Sequence, residues 1–322
     1  MIRALFATLV LAFASSVATA DTIVVPPEDA DLIQYLINVA VNDGDVIQLE
    51  AGTYMVPGTI NTNGLAITIR GAVDGEGYPT SILDGSGKHM VLQCNSGEDT
   101  STEFRDLVIA NGNFSGGGGG MLCSGSSPSL INCVFTDNAS GSQGGGGMYC
   151  GNASPTLTSC TFMNNATTGY GGGMYCRDNS FPAIHSCAFI GNTAAVGGGI
   201  YNYAGSRPNL VACVVRENVA LSGGGGIHSY FTQYIPRLED TMVCQNTPVQ
   251  IQGGYEDNGG NIVQDICTCF ADISNTGEVG GADLGILLLL WESDNPVADL
   301  NDDGIVDGGD LGLVLLNWGP CP

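Results

Sequence analysis

Apolar positions in the middle of the chain recur at a nearly constant interval along the sequence. One apolar position follows each run of glycines and holds Met121, Met148, Met174, Ile200 and Ile227. A second lies two residues beyond a proline and holds Leu130, Leu157, Ile184, Leu210 and Leu238. A third holds Phe135, Phe162, Phe189, Val215 and Val243. The apolar segments are only a few residues long and are bounded by Gly, Pro, Asn and Ser, which predicts short β-strands.

A repeat of this length cannot bury its own apolar face, but a stack of such repeats can. The simplest arrangement is a coil in which parallel strands of successive repeats lie about 4.8 Å apart. Each column of the repeat then becomes a ladder of like residues along the coil. The sequence therefore predicts an all-β fold, a parallel β-helix solenoid, over residues 21–266.

The residues after the glycine runs indicate which side chains face inward. Because side chains alternate along a strand, each Met and the Cys two residues later face the core, and the residue between them faces outward. That outward position holds Tyr149, Tyr175 and Tyr201, which we predict as a contact for a glycan or a partner. An aromatic ladder that packs on itself and stabilises the sheet is an equally good interpretation.

An asparagine column predicts a second ladder. It consists of Asn138, Asn165, Asn192, Asn218 and Asn246. We expect each amide to bond the backbone and the asparagine of the coil above or below. One more step of the repeat, taken toward the N-terminus, extends this column to Asn111 and the phenylalanine column to Val108.

The cysteines of the repeats leave two interpretations open. The first three repeats carry two each, namely Cys123 and Cys133, Cys150 and Cys160, and Cys176 and Cys187. One disulfide within each repeat is the simpler pattern. The fourth repeat has Asn202 in the first column but keeps Cys213 in the second, which speaks against obligatory pairing. Two ladders of buried thiols, or a mixture, are therefore slightly favoured.

The N-terminal region predicts an exported chain with a covered end. Residues 1–20 combine Arg3, an apolar stretch and small residues before the cleavage point, which is typical of a signal peptide. No later apolar stretch approaches the roughly 20 residues of a membrane span. Beyond it, apolar residues on one helical face predict a capping helix at roughly 28–42, and these are Leu32, Ile33, Leu36, Ile37 and Val41.

Two segments that begin at Asp272 and Asp299 mirror each other and predict a small helical module at 267–322. Each combines an acidic loop with an apolar run typical of a helix. The second loop has the ligand pattern of a calcium loop, with Asp299, Asn301, Asp303, the carbonyl of Ile305, Asp307 and Asp310. The first loop has Asp272, Ser274, Thr276 and Asp283. Because two carboxylates are replaced by hydroxyls there, we expect a degenerate site that binds calcium weakly or not at all.

The charged residues of the chain limit the functions that it can have. The chain has 8 Lys+Arg against 32 Asp+Glu, a formal net charge of −24. Such a surface repels nucleic acid, so we expect no nucleic-acid partner. In the repeats no two arginines form an obvious pair with clustered acids, and the three histidines are isolated. The sequence therefore shows no recognisable catalytic constellation.

The whole pattern resembles known families. The order of cap helix, "GDVIQLEAGTY", "LAITIRG", "SILDG" and FxxN repeats is similar to the right-handed parallel β-helix superfamily of the pectin-lyase type. The repeats resemble those of polymorphic outer-membrane proteins, and the duplicated loops resemble a dockerin module. The dockerin resemblance implies a cohesin-like partner. It also implies a disulfide from Cys321 to Cys267 or Cys269, which would join the two ends of the module.

These resemblances imply a secreted or cell-surface protein. The expected function is non-catalytic glycan binding, adhesion or surface display, with a polysaccharide or a cell-surface protein as partner. The alternative is a polysaccharide lyase or a glycoside hydrolase. An enzyme should bring three carboxylates, or carboxylates with Arg or Lys, onto one face of the coil.

Overall fold

Successive short strands wind into three long sheets that enclose one core. The computed structural model describes residues 20–265, 267, 271–274, 276, 278–295, 297–301, 303–316 and 318–320. The predicted signal peptide, apart from its last residue, lies outside the described residues, as do Cys269 and Cys321. Neighbouring strands of the three sheets run parallel, as the repeat predicts.

Sheet 1 has ten strands, sheet 2 has nine and sheet 3 has twelve. Sheet 1 consists of Thr22–Val25, Val46–Leu49, Thr68–Arg70, Glu103–Arg105, Ser129–Ile131, Thr156–Thr158, Ala183–His185, Asn209–Val211, Arg237–Glu239 and Glu256–Asp257. Sheet 2 consists of Gly52–Met55, Ser81–Asp84, Leu107–Ala110, Val134–Thr136, Thr161–Met163, Ala188–Ile190, Val214–Arg216, Met242–Cys244 and Ile262–Gln264. Sheet 3 consists of Ile60–Asn61, Leu92–Cys94, Asn113–Phe114, Met121–Ser124, Ala139–Ser140, Met148–Gly151, Ala166–Thr167, Met174–Arg177, Thr193–Val196, Ile200–Asn202, Val219–Ser229 and Thr247–Gln252.

The predicted columns are ladders of neighbouring residues in the coil. In sheet 2, Phe135 pairs with Phe162 and Phe162 with Phe189. Their rings stack almost in parallel, with centroids 4.6 and 4.8 Å apart. All three are fully buried, as are the central residues of the repeat strands in sheet 1, namely Leu130, Leu157, Ile184, Leu210 and Leu238. The repeat thus places like side chains directly above one another. The core is therefore packed in the same way in successive coils.

The asparagine column forms a continuous hydrogen-bonded ladder inside the protein. Asn165 Nδ2 donates to Asn192 Oδ1 at 3.0 Å, and Asn192 Nδ2 donates to Asn218 Oδ1 at 2.9 Å. Asn192 Nδ2 also donates to the carbonyl of Phe162 at 2.9 Å. Its Oδ1 also accepts the backbone N–H of Asn165 at 3.0 Å. Each buried carboxamide is therefore satisfied by the coils on both sides of it.

The ladder ends differently at its two ends. At the C-terminal end, Gln250 Oε1 accepts both the backbone N–H and the Nδ2 of Asn246 at 2.9 Å, and so replaces a further asparagine. At the other end the predicted extension is wrong by one residue. Phe135 pairs with Ile109 and not Val108, and the N–H of Gly112, not Asn111, donates to Asn138 Oδ1 at 2.8 Å. The step of the coil there is one residue shorter than the extension assumes.

Helices occur at both ends of the chain. The predicted capping helix is present but shorter than expected, with α1 at Leu32–Val39 after a 3-10 turn at Pro27–Asp29. Ile33 and Ile37 of α1 are buried against the core of the coil. None of the helices among the described residues has the length and apolar character needed to cross a bilayer.

The C-terminal segment repeats one loop-and-helix unit. Helices α2 (Gly281–Leu289) and α3 (Gly308–Leu316) each follow a loop, as predicted. Their core is a separate cluster in which each buried residue of the first unit has a counterpart at the equivalent position of the second, namely Ala271 and Ala298, Val279 and Val306, and Leu287 and Val314. Strand Glu278–Val279 pairs with Gly319–Pro320, and Val306 likewise bonds Glu292 and Ser293.

We predict that Asn192→Ala lowers the free energy of unfolding by about 3 kcal/mol or more, measured by urea denaturation. The substitution leaves two buried donors of Asn165 and the buried carbonyl of Phe162 without partners, and each such loss costs about 1–3 kcal/mol.

Asn164→Gly is the matched control. Asn164 is exposed with φ 55°, and the next coil already has Gly191 (φ 63°) at the equivalent position. We expect this variant to change stability by less than about 1 kcal/mol. Equal losses in the two variants would contradict a ladder that stabilises the coil.

Candidate functional site

An open cleft of about 570 Å³ lies on the outer face of sheet 1 toward its C-terminal end. Asn209, Arg237 and Glu256 lie in register on three neighbouring strands and form an outward ladder. They point outward because the adjacent Leu210 and Leu238 are buried in the core. The remaining lining residues are Phe181, Arg207, Glu239 and Asn258.

Two arginines converge on one carboxylate in this cleft. Glu256 Oε2 accepts from Arg237 Nε at 3.2 Å and from Nη2 of Arg207. Arg207 Nε also donates to the carbonyl of Ile235 at 3.2 Å, which fixes the guanidinium. All three charged side chains remain between 30% and 49% exposed, so they can reach a ligand.

Sequence analysis missed this arginine pair. Arg207 and Arg237 are separated from Glu256 by 49 and 19 residues along the chain. Only the register of the coil brings them together. The one signal in the sequence is their position beside the repeat prolines, since Arg207 precedes Pro208 and Arg237 follows Pro236.

The cleft is electrically balanced and mixed in chemistry. Its two guanidiniums match the two carboxylates of Glu239 and Glu256. Asn209 and Asn258 add neutral amides, and Phe181 adds an aromatic ring that is 51% exposed. Donors, acceptors and an apolar face in one open cleft suit a ligand that carries many hydroxyl groups.

The cleft meets the condition stated above for an enzyme, because carboxylates and arginines share one face. The arrangement of its two carboxylates is less suited to hydrolysis. Glu256 is the shared partner of both guanidiniums, and Glu239 is then the remaining carboxylate among the lining residues. Hydrolysis of glycosidic bonds normally uses two carboxyl groups in separate roles.

The predicted tyrosine contact needs correction. Tyr149, Tyr175 and Tyr201 do form a ladder outside the coil, with ring centroids 5.4 and 5.3 Å apart. However, Tyr175 and Tyr201 are only 5% and 2% exposed. Tyr170 lies against both, at 5.8 and 4.8 Å, and Tyr201 stacks on His228 at 5.1 Å. The self-packing interpretation therefore describes Tyr175 and Tyr201, and burial raises their pKa.

A glycine run helps to bury Tyr175. A Cβ on Gly144, in the run of the preceding coil, would lie 2.9 Å from Cδ1 of Tyr175 and 2.2 Å from the carbonyl oxygen of Tyr170. Gly144 also has φ 95°, a conformation that other residues rarely adopt. Glycine is needed at this position because the backbone itself covers the aromatic ring.

The repeat cysteines are two ladders of free thiols, as the slightly favoured interpretation predicted. Cys123, Cys150 and Cys176 pair in register, and Cys94, which the sequence analysis did not include, extends the ladder. The second ladder consists of Cys133, Cys160, Cys187 and Cys213. All eight are buried, and burial raises the pKa of Cys213 to about 12. Buried thiols of this kind pack as small apolar groups.

The predicted disulfide from Cys321 to Cys267 is wrong. Cys267 is bonded to Cys244 with an S–S distance of 1.93 Å, so its sulfur is not free for Cys321. Cys244 ends a strand of sheet 2, and the bond therefore joins the last part of the coil to the segment that follows. The other predicted pairing, of Cys321 with Cys269, lies outside the described residues.

The two predicted calcium loops have the same internal geometry. Asp310 accepts the backbone N–H of Asn301 at 3.2 Å and of Asp307 at 2.8 Å. Asp283 accepts the corresponding N–H groups of Ser274 at 2.8 Å and Gly280 at 2.7 Å. Burial alone would raise the pKa of both carboxyls, but these hydrogen bonds outweigh it and lower the pKa.

The ligand chemistry of the second loop fits a hard cation. Asp299 accepts from the N–H of Asp303 at 3.1 Å and of Gly304 at 2.9 Å, so the chain turns around its carboxylate. Asn301 Nδ2 donates to Asp303 at 2.9 Å. All of these side chains offer oxygen, which Ca²⁺ prefers. Among the described residues, however, no three His, Cys, Asp or Glu side chains converge as a metal site.

Comparison with known proteins supports the fold. Residues 82–237 match the family model described as "Right handed beta helix region". The coil is a right-handed parallel β-helix. The predicted handedness is thereby confirmed, whereas the resemblances to outer-membrane-protein repeats and to dockerins stay predictions. No curated protein sequence matches the chain.

Three solved structures match the chain distantly. Pectate lyase Pel9A is 13% identical with a TM-score of 0.41, over 79% of this chain and 83% of that one. The tailspike protein gp49 of Acinetobacter baumannii bacteriophage Fri1, described as a capsular polysaccharide depolymerase, is 10% identical with a TM-score of 0.33, over 78% and 55%. An alginate lyase from Paenibacillus sp. str. FPU-7 is 12% identical with a TM-score of 0.26, over 76% and 98%.

We predict that the eight ladder thiols resist alkylation by iodoacetamide in the folded protein and react fully in guanidinium chloride. Burial keeps their sulfur atoms out of reach, whereas the reagent needs an accessible thiolate. Peptide mass mapping after each treatment checks this. Rapid modification of Cys150 or Cys160 in the native protein would contradict the thiol ladders.

Proposed function

We propose that this protein is a secreted or cell-surface glycan-binding β-helix, and that it binds a sugar chain in the cleft of Arg207, Arg237 and Glu256 without cleaving it. The ladder of Asn209, Arg237 and Glu256 carries this proposal. It presents an amide, a guanidinium and a carboxylate at the regular spacing of the sheet. Sugar hydroxyls both donate and accept, so such an alternating row can bond several of them.

The stiffness of the coil supports a binding role. The strands of Asn209 and Arg237 are paired on both sides and each holds a buried leucine, Leu210 or Leu238, whereas Glu256 lies on the edge strand, which pairs with the strand of Arg237. Arg207 is held further by its bonds to Glu256 and Ile235. A preformed cleft loses little conformational freedom when a ligand binds, which favours affinity.

We predict that Arg237→Ala lowers the affinity for the bound polysaccharide at least tenfold, since it removes one member of the ladder and one of the two guanidiniums that hold Glu256. Retention of the full-length protein in gels that contain soluble polysaccharides, followed by calorimetry, measures the effect. Arg105→Ala is the matched control, because Arg105 lies on another strand of sheet 1 with its own acidic partners Glu103 and Asp106. Unchanged binding in Arg237→Ala, or an equal loss in Arg105→Ala, would refute a site in this cleft.

Polysaccharide cleavage is the second candidate, and Glu239 is the observation that favours it. This exposed carboxylate stands beside the two arginines, where it could act as an acid or a base. The same polysaccharides should therefore be assayed for new reducing ends and unsaturated ends. Product that forms with the wild type and disappears in Glu239→Gln would replace the binding proposal by an enzymatic one.

We further infer that the second C-terminal loop binds one calcium ion. Calorimetric titration of the full-length protein should show one tight site that Asp299→Ala abolishes and Asp272→Ala leaves intact. The reason is the carboxylate count, because Asp303 and Asp307 of the second loop correspond to Thr276 and Gly280 in the first loop. Two equal sites, or no heat at all, would contradict this assignment.

A cohesin-like partner for this module is the finer part of the proposal. Helices α2 and α3 and the residues just after them expose apolar side chains at equivalent positions of the two units, namely Leu288 and Leu315, and Trp291 and Trp318. The segment 267–322 contains acidic residues and no Lys, Arg or His. A partner would therefore need an apolar surface with basic residues around it.

A further inference from the structure

The turns that lead from sheet 3 to sheet 1 become longer along the coil. In the first repeat the turn before the proline is 125–127, and in the last two repeats it is 203–207 and 230–235. The short turn contains only Gly and Ser. The two long turns carry four aromatic residues, Tyr203, Tyr230, Phe231 and Tyr234. The extra length is therefore used to place aromatic side chains at one edge of the coil.

Three of these rings, those of Tyr203, Tyr230 and Phe231, form one cluster that is open to solvent. Tyr230 and Phe231 meet edge to face with centroids 4.8 Å apart, and Tyr203 lies 5.3 Å from Tyr230 and 5.5 Å from Phe231. Tyr230 is nevertheless 58% exposed and Tyr234 is 41% exposed. This contrasts with Tyr175 and Tyr201 of the tyrosine ladder, which are only 5% and 2% exposed.

The aromatic cluster is linked to the cleft through Arg207. Arg207, which lines the cleft, belongs to the same turn as Tyr203. Its Nε donates to the carbonyl of Ile235, the last residue of the turn that carries Tyr230. Phe181, the aromatic residue of the cleft, lies just before the proline of the preceding repeat. Arg207 thus connects the ladder of Asn209, Arg237 and Glu256 to the aromatic turns.

We propose that the turns 203–207 and 230–235 extend the cleft into one elongated site for an uncharged polysaccharide, with Tyr230 stacking against a sugar ring. This proposal rests on the proposed glycan-binding function of the cleft. A sugar ring has an apolar face and a hydroxyl-bearing edge. Tyrosine offers a large, rigid surface for the face at low cost in side-chain entropy. The row of Asn209, Arg237 and Glu256 bonds the hydroxyls of neighbouring units.

The charges of the cleft and of the whole chain favour an uncharged polysaccharide. The cleft has equal numbers of guanidinium and carboxylate groups, so it offers a polyanion no excess of positive charge. The chain as a whole carries a formal net charge of −24 and repels a polyanion. A neutral polysaccharide meets neither obstacle.

The test uses the full-length protein and five defined polysaccharides. Xylan, galactan, mannan and a mixed-linkage β-glucan are the neutral probes, and polygalacturonate is the anionic one. We expect retention of at least one neutral probe and none of polygalacturonate. Tyr230→Ala should weaken retention at least fivefold. Tyr35→Ala, which removes a 60% exposed tyrosine from α1 at the other end of the coil, should not change it.

A footprint on the wild type makes the test independent of how a variant folds. Nitration of Tyr230 by tetranitromethane, read by peptide mass, should fall severalfold when the retained polysaccharide is bound. Nitration of Tyr35 should stay constant. Unchanged nitration of Tyr230 would overturn the stacking role.

The outcomes separate the two proposals. Loss of binding in Arg237→Ala with full binding in Tyr230→Ala overturns the extension and leaves the cleft as a glycan site. Unchanged binding in both variants, or no retention of any probe, overturns both. Preference for polygalacturonate overturns the uncharged class.

Discussion

The hydrogen-bonded asparagine ladder is the interaction on which the rest of the structure depends. A buried carboxamide is costly unless its donors and acceptors are satisfied. Asn165, Asn192 and Asn218 are satisfied only when each lies directly below the next. A slip of one residue in any coil would break these bonds and turn the phenylalanine ladder out of the core. The ladder therefore stabilises one register among many that the repeat would otherwise allow.

The same register builds the candidate site on the outside. Once Leu210 and Leu238 face the core, Asn209 and Arg237 must stand next to each other on the surface. Residues far apart in the chain become neighbours without any dedicated loop. The length and sequence of the turns between sheets 3 and 1 can then vary, because the asparagine ladder does not constrain these turns. The long aromatic turns at 203–207 and 230–235 occupy such a position.

The coil could be predicted from the sequence because its apolar positions are periodic. The prediction failed for features that this periodicity does not determine. Coils that differ in length by a single residue give nearly the same apolar pattern, so the sequence predicted Val108 where the structure has Ile109. Strand alternation correctly turned Tyr175 and Tyr201 outward, but it does not reveal that Gly144 lies against Tyr175 and that Tyr170 and His228 cover Tyr201. The bond between Cys244 and Cys267 and the meeting of Arg207 with Glu256 depend on spatial neighbours that no spacing encodes.

Native-state hydrogen exchange tests most directly whether the ladder sets the register. The backbone amides of Asn165 and Asn192 donate to buried carboxamides of the next coil, at 3.0 and 2.9 Å. If these bonds hold the coils in register, the two amides should exchange only on global unfolding, as slowly as the best protected strand amides. Exchange as fast as that of the exposed turn at 230–235 would show that the coils keep their register without the asparagines.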